Sequence, residues 1–511
     1  MKRIIGALTL SLALATASAE RINHEGRILG APPVVTNALL FNTTNADAVL
    51  STMQIFPVTN PWNEDISQRP VLTNSDAMMA QISNDLLASR RTLRAFKEMN
   101  FVIVPDNQPA VSINFFDYPH QSDLDGGTTP NGLYPIPTNM PIETWPSETQ
   151  GQTLPQWQQD VNGWGGDRHS IIVKPGAGLI WETWQAKLVG NSWEASNGAK
   201  FDLNTNSLRP AGWTSGDAAG LPMFPALPRF DECERGVIEH ALRIVVRRTR
   251  YNNYIYPATH WASYATNTSV NLPSMGQRLR LKSSFVIPAN WTKQEKAVLA
   301  ALKKYGAFVA DNGNFFSISV TPDDRWPVDC FNRLSTVGIT NFEAIQATGP
   351  TQGPRSPGAP VAYAGNDQTV AVGVPVPLQG FVSFTNTSPT TNLWKRYSGP
   401  TNVTFVNAAQ TNTTATFGAP GVYTLMLSAS NGVHAVAYDA VVINATAAIV
   451  LDVARAGANV NLTWTGGVAP FVVERSATLP ASSWSGVVTT SVQNVSLPLT
   501  PGNAFFRVRE N

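Results

Sequence analysis

The sequence is poor in charge, in cysteine and in long apolar runs. Only 14% of its 511 residues are charged and the formal net charge is +1. So weak a field excludes nucleic acid as a partner held through bulk charge. Past the N-terminus no run approaches the ~18 consecutive apolar residues of a membrane-spanning helix, so no membrane partner is expected. Cys233 and Cys330 are the two cysteines. In an oxidising compartment they are able to pair, closing a loop worth ~4–5 kcal/mol in the chain-entropy model, with two reduced, buried thiols as the other reading.

Several catalytic signatures are missing as well. No H-E-x-x-H or H-x-H occurs, and the cysteines are not at zinc spacing, so no metal site is expected. There is no G-x-S-x-G elbow, because Ser215 in "GWTSGDAAG" has the wrong offset. "GAGLIW" does not complete a dinucleotide fingerprint, and no P-loop exists. Serine esterase, metalloprotease, nicotinamide and kinase chemistry lose their basis. "SDLDGGTTPNG" offers Asp123 and Asp125 for a loop calcium or a solvated turn, but lacks the third ligand and terminal glutamate of an EF-hand. No other cofactor is implied.

What is present points outside the cell. Lys2 and Arg3 precede an apolar run, Ile4 to Ala15, and Ala17-Ser18-Ala19 supplies small residues for cleavage. Residues 1–19 are therefore expected to be a signal peptide, and the protein to be secreted. With 37 Gly and 37 Pro, the chain reads as turn-rich β structure. Its 14 Trp suit sugar-binding platforms as well as core packing. A Pro/Gly/Ser-rich linker, "GPTQGPRSPGA" at 349–359, divides the chain.

Residues 20–348 are expected to form one β-rich module, a large sandwich or jelly roll with a few helices. "NSDAMMAQISNDLLASRRTLRAFKEMN" starts a helix at Asn74 or Ser75. "NWTKQEKAVLAALKKYG" starts one at Asn290 or Thr292 and closes at Gly306. Asn312-Gly313 is expected to turn a hairpin. Strands are expected at "SIIV", "LIWETW", "KFDL", "ALRIVV" and "RLRLKSSFVI".

Residues 360–445 carry "AGNDQTVAVGVPVPLQG", "LWKRYSGPTNVTF", "TTATFGAPGVYTLMLSASNG" and "AYDAVVIN". This segment resembles a PKD-type immunoglobulin-like domain, although the "FGDG" signature of that type is missing. The resemblance implies a sandwich that serves as spacer or binding accessory on secreted enzymes and surface proteins. Residues 446–511, with "VNLTWTGG", "PFVVERSA" and "AFFRVR", are similar to small fibronectin-like or sorting-associated β domains. Residues 55–345, through text such as "GDRHSIIV", "GWTSGDAAGLPMFPALPRFDE" and "IYPATHWAS", resemble a recurrent group of secreted microbial proteins. That resemblance implies one coherent module and no particular reaction.

Acid/base chemistry by carboxylates and histidines is then the remaining option. "SIIVKPGAGLIWETW" reads as a hairpin looping at Pro175–Gly178, with Pro-Gly suited to a type II turn. Its register pairs Ile171 with Glu182 and His169 with Trp184. One face then carries His169, Ile171, Val173, Ile180, Glu182 and Trp184, and the other Ile172 and Trp181. Two apolar faces imply a central, covered hairpin with Asp167 and Arg168 at its mouth. Glu182 becomes a buried acid poised to donate a proton, or a structural partner of Arg168 or Arg243.

A glycoside hydrolase needs a second carboxylate, for which Asp167, Asp202, Glu143 and Asp217 are candidates, and His169 beside Glu182 is a further catalytic candidate. Trp184 and Trp181 would supply sugar platforms. The alternative is a lyase on uronic-acid polymers. In it His260 or His240 removes a proton, Tyr254 or Tyr256 donates one, and Arg243 or Arg278 neutralises the substrate carboxylate. A third reading is a non-catalytic carbohydrate-binding or surface protein. In each case the expected partner is an extracellular polysaccharide.

Overall fold

The computed structural model describes residues 21–163, 166–346, 359–384, 390–432, 436–481 and 483–510. The expected signal peptide and nearly all of the expected linker lie outside them. The chain forms two compact units, one of residues 23–359 and the other built mainly of 360–431 and 436–511.

Period-two apolar strands organise the first unit. Its five-stranded sheet contains β1 (Ser170–Lys174), β2 (Leu179–Trp184) and β3 (Asn197–Asp202), in the order β3-β2-β1, and continues through Val102–Ile103 to Leu39–Leu40. β1 and β2 pair in the expected register, Ile171 opposite Glu182 and Val173 opposite Ile180. Ile171, Val173 and Ile180 enter the larger core, while Ile172 and Trp181 enter a second core with Phe115, Tyr134 and Trp193. Burying each such side chain contributes ~1.5–3 kcal/mol, which favours a sheet covered on both faces. The connecting turn is closed by Gly178 N–H to the Pro175 carbonyl (3.1 Å). Its one left-handed residue is Gly178, at φ 66°. Type II geometry needs that conformation one residue before the end of the turn, so the turn is of another type.

The larger core is shared with a six-stranded sheet. It holds β4 (Leu242–Val246), β5 (Ala307–Asn312) and β6 (Phe316–Val320), ordered Phe342–Ala344, Arg278–Leu281, β5, β4, β6, Leu93–Lys97. β4 runs parallel to β5, and β6 parallel to Leu93–Lys97. These parallel ladders differ from the antiparallel pairing of a jelly roll. The hairpin expected at Asn312-Gly313 is not formed either, because β4 lies between β5 and β6. Gly313 N–H instead bonds the Val246 carbonyl (2.8 Å), so the chain wraps over the end of β4. A four-stranded sheet of Lys187–Val189, Ser192–Ala195, Val111–Phe115 and Asn131–Tyr134 covers the second core.

Helix α1 (Ser75–Asn84) starts after Asn74 but stops well before the end of the expected stretch, which continues into the strand Leu93–Lys97. Helix α2 (Lys293–Lys304) is set by Thr292, whose hydroxyl accepts from Glu295 N–H while the Glu295 carboxylate accepts from Thr292 N–H. Among the described residues no helix is long and apolar enough to cross a membrane. The expected disulfide is absent: Cys233 and Cys330 are free and packed in the larger core as small apolar side chains.

In the second unit, strands within 361–446 flank a core of Trp394, Tyr423, Leu425 and Leu427. The Tyr423 hydroxyl donates to the Ala419 carbonyl (2.8 Å), a corner typical of immunoglobulin-like sandwiches. Strands within 450–510 flank a separate core of Leu462, Trp464, Phe471 and Val473. The protein is thus β-rich and multidomain.

At Gly198 in β3 the five-stranded sheet comes close to the four-stranded one. A Cβ there would stand 2.5 Å from the Phe115 ring and from the Tyr134 hydroxyl, both in fully buried side chains. Gly198→Ala should lower stability by about 1–3 kcal/mol through overpacking, read as a lower urea midpoint.

Candidate active site

A pocket of about 260 Å³ opens where the β1–β2 hairpin ends and the parallel strands β4 and β5 terminate. Open α/β sheets likewise place ligands beyond the carboxyl ends of parallel strands. The walls come from Asp167 and His169, from Trp184, from the loop 214–218, from His260 and Ala262, and from Asp311 and Asn312, with Tyr118 at the rim. Trp184 and Tyr118 lie with ring centroids 6.3 Å apart, tilted by 38°.

A β-bulge aims Asp311. Ile244 pairs with Val309 but Val245 pairs with Asp311, leaving Ala310 as the extra residue. The Ala310 carbonyl accepts from Ala219 N–H (2.9 Å), which ties the 214–221 loop to β5. The same loop fixes His260. Its backbone N–H bonds the Ala219 carbonyl (3.1 Å) and its ring Nδ1 meets the Ala218 carbonyl at 2.8 Å. A carbonyl only accepts, so Nδ1 carries the proton and Nε2 holds the lone pair of the neutral ring. Burial lowers the His260 pKa, which favours that neutral form.

Beneath the wall lies a network of buried charges. Arg243 donates to both oxygens of Asp217 (2.8 and 2.7 Å), and both side chains are almost wholly buried. Arg243 also donates to the Ser319 hydroxyl (2.5 Å), which donates to Glu98 (2.5 Å). Asp311 stands 3.8 Å from the same guanidinium and is about a quarter exposed, toward the pocket. His169 Nδ1 meets Glu143 (2.9 Å) and Nε2 meets the Gly216 carbonyl (2.9 Å). Both partners accept, so the ring is an imidazolium with no lone pair to offer a substrate. Burial opposes that charge, but the Glu143 carboxylate outweighs it and raises His169 to about 9.

Proton occupancy follows first from burial and then from neighbouring charges. Burial, and the negative charge of Asp217, raise Asp311 to about 7. Burial and Glu143 raise Glu98 to about 7. Burial raises Glu182 to about 7 against the pull of the Phe224 and Met223 N–H groups. Near pH 7 each of these three acids is therefore partly protonated, while Glu143 lies against His169 and Asp217 against Arg243. Around neutral pH, Asp311 is then an acid at the pocket surface with a proton to give.

The pocket brings together Asp167, His169, Trp184 and His260 from the residues singled out in the sequence, with Glu143, Asp217 and Arg243 directly behind them. Others fall elsewhere. Glu182 is fully buried and does not line the pocket; its carboxylate accepts from Met223 and Phe224 N–H (2.8–3.0 Å) and caps the turn at Phe224–Ala226. Its partners are backbone amides rather than Arg168 or Arg243. Arg168 turns inward from the mouth onto the carbonyls of Trp157, Gln158 and Ala186. Asp202 pairs with Leu179 at the far end of the hairpin, ~17 Å from Trp184 at strand rise, and caps a turn to Asn204.

Trp181 faces the second core and donates to Asp125 (2.8 Å). His240 contacts Glu232 and the Ala241 carbonyl, outside the pocket. Tyr254 and Tyr256 do not line the pocket. Arg278 spends its donors on the carbonyls of Tyr305, Pro61 and Glu64. Asp123 and Asp125 pair with Arg209 and Lys200, so protein cations already satisfy that loop. Among the described residues, no group of three or more His, Cys, Asp or Glu side chains is arranged to hold a metal. Asp311, Tyr118 and Glu98 were not foreseen. Asp311 sits in "VADNG", where an acid before Asn-Gly reads as turn chemistry.

No family model and no curated protein matches the chain. Among solved structures, it is similar to the PKD domain from KIAA 1837 protein, at 22% identity over 18% of this chain and 91% of that one, with a TM-score of 0.16. The PKD domain of human KIAA0319 is similar at 18% identity over 20% of this chain and 94% of that one, TM-score 0.16. Titin domains I67–I69 are similar at 11% identity over 30% and 65%, TM-score 0.20. At these scores the likeness says nothing about activity.

Two outcomes are expected from the charge network. Arg243→Met leaves Asp217 buried without its partner and should cost about 3–5 kcal/mol in denaturant unfolding. The second concerns pH. Glu98, Glu182 and Asp311 have raised folded pKa values, so the folded state binds more protons than the unfolded one from the ordinary carboxylate range up to about 7. The His169 contribution is complete below its ordinary 6.5 and is lost as pH rises through about 9. All four shifts have the same sign, so the urea midpoint should fall as pH rises from mildly acidic to 9. Glu182→Gln should flatten its part of that slope, between 4.5 and 7.

Proposed function

We propose that the protein is a secreted polysaccharide-active enzyme, a glycoside hydrolase whose general acid is Asp311 and whose second carboxylate is Asp167. The observation that carries this reading is the meeting of two carboxyl groups, a neutral histidine and two aromatic rings in one pocket. Asp311 protonates the leaving oxygen, Asp167 serves the opposite face of the sugar, and Trp184 with Tyr118 supplies an apolar platform. Chemistry of this kind asks for no cofactor. Residues 360–445 then serve as a PKD-type spacer and 446–511 as a small fibronectin-like accessory, both extracellular.

One observation favours a second reading. His260 offers Nε2 as a base because Nδ1 is held by the Ala218 carbonyl. Proton abstraction beside a uronate, with Tyr118 returning the proton, would make the enzyme a lyase.

Asp311→Asn should lower kcat by about 10²–10⁴-fold, while Glu182→Gln, beneath the wall, should stay within about tenfold of the parent. Reducing-sugar release over a glycan panel measures hydrolysis, and ultraviolet absorbance of an unsaturated uronate measures elimination. Full activity in Asp311→Asn overturns the assignment, and binding without product identifies a binding protein.

A further inference from the structure

A second, wider pocket of about 470 Å³ adjoins the first and shares Ala262 and Asn312 with it. Its remaining lining is Arg247, Arg248, Ser263, Tyr264 and Asn267. The charged lining differs across the shared wall. The first pocket presents the carboxyl groups of Asp167 and Asp311 beside the His169 imidazolium, whereas the second presents two guanidinium groups and no acid. Both arginines directly follow β4, the strand that carries Arg243, so one strand supplies the buried cation and the exposed pair.

Arg248 is committed to Asp85 (2.5 Å) and reaches Asn267 (3.3 Å). The exposed Arg247 guanidinium has no hydrogen-bond or ion-pair partner among the described residues. Hydrogen bonds tie the shelf around it together. Asn267 donates to Ser263 (2.8 Å), Ser263 to the Thr249 carbonyl (2.5 Å), and Asn312 to the Ala262 carbonyl. Tyr264 is 82% exposed on this shelf, an aromatic ring of the kind that stacks on a sugar face.

Resting on the carbohydrate reading of the first pocket, we infer that this shelf is a substrate subsite for an anionic sugar unit, its carboxylate or sulfate held by Arg247 and its ring laid against Tyr264. A guanidinium fork matches either oxyanion in bidentate geometry. The polymer acted on is therefore negatively charged, and the unit on the shelf lies next to the one in the reaction pocket. The weak overall charge of the chain makes this local patch, rather than a global field, the source of selectivity.

Calorimetric titration of the full chain with oligogalacturonate, a sulfated heparan oligosaccharide and a neutral cello-oligosaccharide tests this. At least one anionic probe should bind and the neutral one should bind more weakly; whichever anion wins separates carboxylate from sulfate recognition. Arg247→Glu should weaken the anionic probe by about tenfold or more, through loss of one charge-assisted contact and added repulsion, and Tyr264→Ala should weaken it with its salt dependence kept. Binding of neither anionic probe, a preference for the neutral one, or unchanged affinity in Arg247→Glu overturns the inference. Turnover of a neutral glycan at a KM insensitive to Arg247→Glu removes the subsite while leaving the hydrolase reading. Arg247-dependent binding with full activity in Asp311→Asn does the reverse.

Discussion

The bidentate pair of Asp217 and Arg243 is what the rest of the first unit is arranged around. Both groups are almost wholly out of water, and an ion pair so buried recovers its desolvation cost only when its remaining donors and acceptors are matched. Here they are: the guanidinium continues to Ser319 and Glu98 and stands beside Asp311, while the backbone N–H of Asp217 bonds the Ser215 hydroxyl (2.9 Å). The pair joins β4 to the 214–221 loop, and that loop carries one wall of the pocket and the carbonyls that orient His169 and His260.

Around this pair burial sets the protons. Burial raises three of the acids around it, Glu98, Glu182 and Asp311, to about 7, so each holds a proton part of the time near neutrality. Two of those protons, on Glu98 and Glu182, lie behind the wall. The third, on Asp311, faces the pocket because a single extra residue in β5 turns it there. The proposed acid/base function and fold stability are therefore coupled, since the arrangement that raises the Asp311 pKa also makes the folded state less stable as the pH rises. A site of this kind keeps its acid at some cost in stability.

Much of the hairpin was legible in the sequence. Period-two alternation with apolar residues on both faces gave the register of β1 and β2 and their central position, and it identified Glu182 as buried. It did not reveal the partner of Glu182. Met223 and Phe224 are about forty residues away, and backbone amides leave no mark in side-chain patterning. Asn312-Gly313 misled for a related reason. A local turn signal lost to the non-local pairing of β4 with both β5 and β6, which buries an almost continuous apolar strand. Asp311 stayed hidden behind that same turn signal. His169 reads in the sequence as a catalytic candidate, but its place as a fixed cation depends on Glu143 and Gly216, which belong to separate loops.

The sequence by itself determined the β-rich class, the central hairpin, the two helix starts and the low charge, because each follows from local periodicity, capping chemistry or composition. Tertiary structure alone decided which acids share a pocket, which hold protons and which merely cap a turn. Those properties arise from burial and from charges brought together across long stretches of chain, and a carboxyl group acquires its pKa and its purpose from neighbours that its own segment does not contain.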